Sequence, residues 1–198
     1  MRNKSLLTII AVLIIAMSSK SQVTGTFTDT RDGKVYKTIA IGTQIWMAEN
    51  FAFKADSGCW AYDNDKANVA TYGYLYTLET AVKACPKGWH LPTNEEWLTL
   101  ISYLGVVVAG DKLKETGTTH WTSDNTQSTN KSGFTALPGG SCDTNGKGSF
   151  IGYFGYWWSS TIFFNKAFLS WGMSYNESDL FKDQTNMLTG LSVRYIKD

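Results

Sequence analysis

The residues in this sequence that could act as nucleophiles or general bases are few. The 198-residue chain contains two histidines, His90 and His120, and three cysteines. A nucleophilic triad needs a serine or cysteine, a histidine within hydrogen-bond reach and an orienting carboxylate. The segment 139–143, GGSCD, carries aspartate where the G-x-S-x-G turn needs its last glycine. The residue types therefore predict that the chain is not an enzyme and has no catalytic residues.

A second possible chemistry is glycoside hydrolysis, which uses two carboxylates about 5 to 10 Å apart, facing each other across the sugar. Glu95 and Glu96 are neighbours on one predicted helical turn, so their side chains point about 100° apart and cannot flank a bond. They are predicted instead to be favourable charges at a helix N-terminus. Cys85 and His90 lack the spacing of a zinc site, so we expect no cofactor and no transition metal.

Two turns rich in oxygen donors raise the question of calcium. Asp63, Asp65 and Asn68 lie in the first turn, and residues 143–146, DTNG, form the second. Calcium prefers about six to eight oxygen ligands, whereas either turn supplies roughly three or four side-chain ligands at most. We favour turns capped by their own Asp and Asn side chains, and bound calcium is the alternative.

An aromatic block at residues 153–158, YFGYWW, is the one feature that could form a binding surface. Neighbours in a strand point to opposite faces, so Trp157 and Trp158 are both buried only if both faces are covered. We therefore expect one of them to be exposed, where its ring would suit the apolar C–H face of a sugar. The alternative is that these rings all belong to the core. The candidate ligand contacts are Tyr156, Trp158, Asp63, Asp65 and Asn68.

The element that organises the chain is the segment 85–104, a tight turn feeding a capped helix. Thr93 is the predicted N-cap, and Glu96 stands three residues later, which is the pattern of a capping box. Gly105 is predicted to end the helix. The helix carries one apolar stripe, formed by Trp97, Leu100, Ile101 and Leu104.

The remaining strands and helices are predicted from the alternation of apolar and polar residues and from the positions of turn residues. We predict an antiparallel meander over residues 27–47, with Trp46 and Met47 in the core. Residues 72–84 are predicted to lead into a helix, and residues 109–130 to form an extended surface loop anchored by Trp121. Two further strands are expected at 168–171 and 190–196, the last of them closing the sheet.

The first residues have the features of an export signal. Arg2 and Lys4 precede an apolar run of about a dozen residues, and small residues follow at a signal-peptidase spacing. We predict a signal peptide at 1–21 and a single domain at 22–198, located outside the cell, in the periplasm or at the cell surface. The mature net charge of about −2 gives no reason to expect a nucleic-acid partner, and no membrane span is expected in the mature chain.

Several motifs resemble one known family in both identity and order. The chain is similar over essentially its whole mature length to the Fibrobacter succinogenes major paralogous domain family, whose members are exported. The resemblance implies a loop-rich α+β fold of the C-type lectin-like or formylglycine-generating-enzyme-like type, with two principal helices against small antiparallel sheets. The motifs are DGKVYKTIAIGTQIWMAENF, YGYLYTLETA, CPKGWHLPTNEEW, AGDKLKETGTTHW, SGFTALPGG, YFGYWWSST and GLSVRYIKD.

The cysteines depart from the pattern of that family. Many members have a cysteine where this chain has Tyr195, and Cys142 stands where a cysteine is less usual. Three cysteines in an exported chain allow one disulfide and one free thiol. We predict a disulfide between Cys59 and Cys85, worth about 3 kcal/mol of loop entropy, and pairing of either residue with Cys142 is the alternative.

The resemblance implies a fold and a cellular location, but it implies little about the activity of the chain. The closely spaced cysteine pair of the formylglycine-generating enzymes has no counterpart here. We therefore expect an exported non-catalytic binding module for a glycan or cell-surface polymer. The alternative is a structural or surface-assembly domain whose partner is another protein, in which case no large aromatic side chain should be exposed in a groove.

Overall fold

The computed structural model describes residues 23–122, 124–164 and 167–198, so the predicted signal peptide lies outside the described residues. The strands within these ranges are β1 Thr24–Thr28, β2 Val35–Ile41, β3 Gln44–Met47, β4 Cys59–Trp60, β5 Leu75–Tyr76, β6 Trp89–His90, β7 Ser141–Cys142, β8 Gly148–Ser149, β9 Phe154–Phe164, β10 Ala167–Ser174, β11 Phe181–Asn186 and β12 Ile196–Lys197. The α-helices are α1 Ala67–Tyr72, α2 Leu78–Lys83, α3 Asn94–Leu104 and α4 Ala109–Leu113. Short 3₁₀ turns occur at Tyr62–Asn64, Val106–Val108 and Asn125–Gln127.

These elements form an α+β fold with several small antiparallel sheets, which confirms the predicted fold class. Every helix found in the described ranges is too short or too polar to span a bilayer. The largest sheet has the strand order β1-β2-β3-β12-β6. Ile196 pairs with Trp46 on one side and with His90 on the other, so the C-terminal strand joins the meander to β6. Trp46 and Met47 are fully buried, as predicted.

Helix α3 forms as the capping box predicts. The Thr93 hydroxyl accepts from the amide of Glu96 at 3.2 Å, and the Glu96 carboxylate accepts from the amide of Thr93 at 2.8 Å. Gly105 ends the helix with a φ of 95°, a backbone conformation that favours glycine. The apolar stripe is buried, and the ring of Trp97 lies 4.8 Å from that of Trp46 between centroids.

Strand β9 lies between two cores. The order of its sheet is β11-β10-β9. Trp157 belongs to a core that also holds Trp46 and Trp97, whereas Trp158 belongs to a second core that includes Leu191. Both faces of β9 are therefore covered at this level, and both tryptophans are 0% exposed. The expectation that one of them would be exposed is wrong.

The segment predicted to lead into one helix is divided. Gly73 has a φ of 74° and ends α1, after which β5 pairs with β4. The helix α2 then begins at its own N-cap, Thr77, whose hydroxyl accepts from the amide of Thr80. The chain reverses here because long-range strand pairing and a left-handed glycine override the local helical pattern.

The predicted surface loop at 109–130 is packed at both ends, whereas residues 116–119 within it are exposed. It contains α4 and one 3₁₀ turn, and Asn125 is buried with its amide donating to the carbonyls of Glu115 and Gly117 at 2.8 Å each. Lys114 is buried too, and its ammonium donates to the carbonyls of Ser174 and Glu177. Because these buried polar side chains donate to backbone carbonyls, their own donors are paired in the interior. Trp121 is an anchor, as predicted, with its indole N–H donating to a buried carbonyl.

The predicted disulfide between Cys59 and Cys85 is not formed, and neither alternative pairing with Cys142 occurs. All three cysteines are free. The Cys85 thiol donates to the carbonyl of Trp89 at 2.9 Å, and the Cys59 thiol donates to the carbonyl of Ala55 at 3.4 Å. Both of these thiols therefore have backbone partners, and the predicted disulfide is wrong.

The stability of α3 is expected to depend on packing more than on capping. Trp97→Ala should lower the free energy of unfolding by about 3–5 kcal/mol, because a fully buried ring is lost from the core. Thr93→Ala should cost about 1 kcal/mol, because one cap is lost. Urea titration followed by circular dichroism measures both. Leu98→Ala, on the exposed side of the same helix, is the matched control, and equal losses for Trp97 and Thr93 would contradict the packing argument.

Alkylation is expected to find three free thiols. Burial raises the pKa of Cys85 and of Cys142 to about 12, so iodoacetamide should react slowly with them in the folded protein. After unfolding without reductant, the intact mass should increase by three carbamidomethyl groups. A sample treated with reductant first is the control, and an unfolded, unreduced sample that gains a single group would show that a disulfide exists.

Candidate functional site

An aromatic patch lies on one face of the three-stranded sheet, and we define it as Phe150, Phe154, Tyr156 and Phe181. Phe154 and Tyr156 are two residues apart on β9, so their side chains emerge on the same face. Their rings lie 5.7 Å apart between centroids with planes within 16° of each other. Phe150 and Phe181 contact these two rings edge-on at 5.6–6.2 Å. The four rings therefore form one continuous surface.

Gly172 makes room for this patch. It pairs with Tyr156 on one neighbouring strand and with Phe181 on the other. A Cβ atom at this position would overlap the ring of Phe181. The glycine thus lets that ring lie across β10 and reach Tyr156. A side chain of any size here would push the two edge strands' aromatic rings apart.

The patch is open at the N-terminal end of β9 and closed at Trp158, in the middle of the strand. Phe150 is 56% exposed, and Phe154, Tyr156 and Phe181 are partly exposed. Two residues beyond Tyr156 on the same face, Trp158 is fully enclosed, and its indole N–H donates to the carbonyl of Tyr76 at 2.7 Å. Trp158 therefore has no surface that a ligand can reach, and its assignment as a ligand contact is wrong.

Tyr156 carries the polar group of the patch. Its hydroxyl has no hydrogen-bond partner within the described ranges, which leaves it available to solvent or to a ligand. Burial and, to a smaller extent, the negative charge of Asp183 raise the pKa of Tyr156 above its usual value. The hydroxyl is therefore neutral at physiological pH and can both donate and accept.

The two turns considered as calcium sites, residues 63–68 and 143–146, lie against each other. The side-chain amide of Asn64 donates to the carbonyl of Asn145 at 2.8 Å, and the amide of Gly148 donates to the Asp63 carboxylate at 2.8 Å. Asp63 and Asn64 have φ values of 53° and 58°, a conformation that Asp and Asn tolerate better than most residues. The two turns are thus locked together by side chain to backbone bonds.

The carboxylates of these turns already have backbone partners. Asp65 accepts from the amide of Ala67 at 2.9 Å, and Asp143 accepts from the amides of Asn145 and Lys147. These bonds hold the pKa of Asp143 below its usual value. They are the Asx turns of the favoured interpretation. Within the described ranges, no three His, Cys, Asp or Glu side chains come together as metal ligands.

The paired turns border the aromatic patch through residues 148–151. The ring of Tyr62 lies over Gly148, and its hydroxyl accepts from the amide of Ile151 at 3.5 Å. Asn68 holds the same turn by donating to the carbonyl of Tyr62 at 3.1 Å. Phe150 lies between these contacts in the chain and belongs to the patch. The predicted contacts Asp63, Asp65 and Asn68 are therefore connected to the Tyr156 surface, whereas Trp158 is enclosed farther along β9.

A buried polar network centred on Asn50 was not foreseen from the sequence. The Asn50 side-chain oxygen accepts from the indole N–H of Trp157 at 3.0 Å and from Nε of Arg194 at 2.9 Å. Its amide donates to the carbonyl of Tyr72 at 2.9 Å and to the Ser192 hydroxyl at 3.3 Å. The available signal was a single arginine within the apolar closing segment, SVRYI.

Arg194 is 1% exposed and lies at a pocket of about 200 Å³. Its Nη1 donates to the carbonyls of Met47 and Phe134, and its Nη2 donates to the carbonyl of Thr135 at 2.8 Å. Burial lowers its pKa to about 9, with the charge of Glu49 acting in the opposite direction. The side chain is thus a buried cation whose main acceptors are neutral.

Both histidines are held by carboxylates. The two ring nitrogens of His90 lie 2.8 Å from Asp198 and 2.8 Å from Glu96. Burial lowers the pKa of His90, but these two partners raise it more, so the net shift is upward. His120 lies 2.8 Å from Glu115. Neither imidazole bonds to a serine hydroxyl or cysteine thiol in the described ranges, so the geometry there does not assemble a nucleophilic triad.

A comparison of the sequence with known protein families gives one match. The profile of the Fibrobacter succinogenes major domain matches residues 39–197, a range that includes the capped helix, the aromatic patch and the Asn50 network. No curated protein and no solved structure matches, so the likeness to C-type lectin-like folds stays a prediction. Because the matched range covers most of its length, the chain belongs to the Fibrobacter succinogenes major domain family.

Proposed function

We propose that the mature chain is an exported, non-catalytic binding module whose aromatic patch takes a glycan or cell-surface polymer. The observation that carries this proposal is the pair of near-parallel, partly exposed rings of Phe154 and Tyr156. Export is inferred from the signal-like residues 1–21. The location that follows is outside the cell, in the periplasm or at the cell surface.

The chemistry of the patch suits a sugar ring. The apolar C–H face of a pyranose can lie on the rings of Phe154 and Tyr156, where burial of apolar surface favours binding. The free Tyr156 hydroxyl and the exposed Asp183, two residues after Phe181 on β11, can bond to hydroxyl groups at the edge of the sugar. Apolar stacking with a few polar groups at the rim is a common arrangement in ligand sites.

The paired turns provide a second set of contacts for an extended polymer. Asp63 and Asp65 are exposed and Asn68 is partly exposed. One Asp63 oxygen is already bonded to Gly148, which leaves the other available as an acceptor. We keep these three residues as proposed contacts together with Tyr156. Trp158 is assigned a supporting role, because it is buried next to the patch on β9 and fixes the strand through its bond to Tyr76.

A structural or surface-assembly role with a protein partner is the second candidate function. A role in which the aromatic rings serve only the core is not favoured, because Phe150 is 56% exposed. The observation that favours a protein partner is the apolar character of the patch, in which three of the four rings are phenylalanine. Exposed aromatic side chains are also enriched in protein interfaces. The two functions differ in what binds to the same surface, so they can be separated by experiment.

A screen of the purified protein against plant and host glycans is expected to find specific binding. Tyr156→Ala should weaken that binding about tenfold, equivalent to about 1.4 kcal/mol, because one stacking ring and one hydroxyl are lost. Isothermal titration calorimetry on the best glycan measures the change. Chelation of calcium should leave the affinity unchanged, because the turn carboxylates are held by backbone amides.

Tyr153→Ala is the matched control for this experiment. Tyr153 is 50% exposed, and its ring contacts that of Tyr175, which is not part of the patch. Its variant should bind as the unchanged protein does. Circular dichroism checks that both variants are folded. A negative result across the whole panel, or an equal loss in both variants, would contradict the glycan proposal and favour the protein-partner function.

A further inference from the structure

We infer that the pocket at Arg194 is a binding site for a small organic carboxylate. The pocket has a volume of about 200 Å³ and lies between β2, the end of α1 and the segment 133–137. None of its lining residues belongs to the aromatic patch, so this site is separate from the proposed glycan surface. The charge of the pocket, the apolar part of its wall and its rigidity all favour such a ligand.

The floor of the pocket holds a cation with spare hydrogen-bonding capacity. A guanidinium has five N–H groups, and four bonds from Arg194 to protein acceptors are described. Three of these bonds are fully buried, and the fourth, from Nη2 to the Thr135 carbonyl, is partly accessible. One N–H of Nη2 therefore has no acceptor in the described ranges, and Arg194 lines the pocket although only 1% of the residue is exposed.

No carboxylate of the described residues forms an ion pair with Arg194. Glu49 lines the same pocket, but its carboxylate accepts from the backbone amide of Lys37 at 2.7 Å and is held against β2. A buried charge without a counter-charge is costly, and a ligand carboxylate would remove that cost. The charge balance therefore favours an anion.

Two lysines at the rim add to the positive potential. Lys34 and Lys37 both line the pocket, against the single carboxylate of Glu49. The Lys34 ammonium lies 5.4 Å from the centre of the Tyr36 ring and has no carboxylate partner in the described ranges. With Arg194, the pocket carries a net charge of about +2. Clefts lined by one sign of charge attract ligands of the opposite sign.

The remaining wall is apolar, and this selects an organic ligand. Ala48, Val69, Ala70 and Leu137 line the pocket beside the charged groups. A bare inorganic anion would leave this surface in contact with water, whereas a carboxylate on a carbon skeleton would cover it. The volume is below the roughly 300–1,000 Å³ of sites for drug-sized ligands. The ligand is therefore about one sugar ring or one amino-acid residue in size.

The pocket is already formed and held in place. The Asn50 amide fixes the last turn of α1 through the carbonyl of Tyr72, and Gly73 follows with its amide bonded to Val69. The same Asn50 side chain positions Arg194. A preorganised site loses less conformational entropy on binding. The geometry thus supports binding without rearrangement of the chain.

Calorimetric titration of the purified protein with D-glucuronate, and with neutral D-glucose, tests this inference. Glucuronate should bind and glucose should not, because the two sugars differ in the carboxylate. Lys37→Gln should weaken glucuronate binding at least fivefold, and 0.5 M salt should weaken it further. Ala70→Phe, which fills the pocket without changing its charge, should abolish binding. Tyr156→Ala should have no effect, which keeps this test distinct from that of the aromatic patch.

Two variants serve as matched controls. Lys66→Gln removes an exposed lysine outside the pocket, and Ala67→Phe adds the same ring to the first turn of α1, away from the pocket lining. Both should bind glucuronate as the unchanged protein does. Equal binding of glucose and glucuronate, or unchanged affinity in Lys37→Gln and Ala70→Phe, would overturn the inference. Inorganic phosphate that competes as strongly as glucuronate would overturn the assignment to a carboxylate.

Discussion

The structure depends on one buried polar interaction, the bond between the side chains of Asn50 and Arg194. A buried amide must satisfy its donors and its acceptor, because an unpaired polar group away from water costs free energy. Asn50 does so with bonds to Trp157, Tyr72 and Ser192 in addition to Arg194. These partners come from β9, the end of α1 and the closing segment. One side chain therefore fixes the relative positions of three parts of the chain that are distant in sequence.

The position of β9 between two cores explains the use of aromatic residues. Trp157 faces the core that contains α3, and Trp158 faces the core that contains α2. A fold with short helices and small sheets has little aliphatic surface to bury, so large rings fill the space between layers. On one side of this covered part, at Phe154 and Tyr156, the same face of the strand reaches solvent, and the far end of β9 is exposed at Ile162 and Phe163. Burial along β9 thus decides which rings can contact a ligand.

The parts of the fold that the sequence predicts are those governed by neighbouring residues. The capping box of Thr93 and Glu96 depends on a spacing of three residues, and the meander that buries Trp46 depends on alternation over a few. The division of the 72–84 segment could not be predicted, because it arises from pairing of β4 with β5. Burial of the polar 109–130 segment likewise depends on backbone acceptors elsewhere, such as those that hold Lys114.

The candidate site was predicted only in part, because some of its features depend on residues that are distant in sequence. Alternation along β9 placed Tyr156 on one face, but only the packing of α2 and Leu191 shows that Trp158 on that face is covered. The Ser192 hydroxyl accepts from Asn50, and the Ser192 amide donates to the carbonyl of Tyr156 at 3.1 Å. The network that positions Arg194 at the pocket therefore also positions the backbone of the aromatic patch. Two separate surfaces are held by one buried side chain, which is a constraint that no local sequence pattern contains.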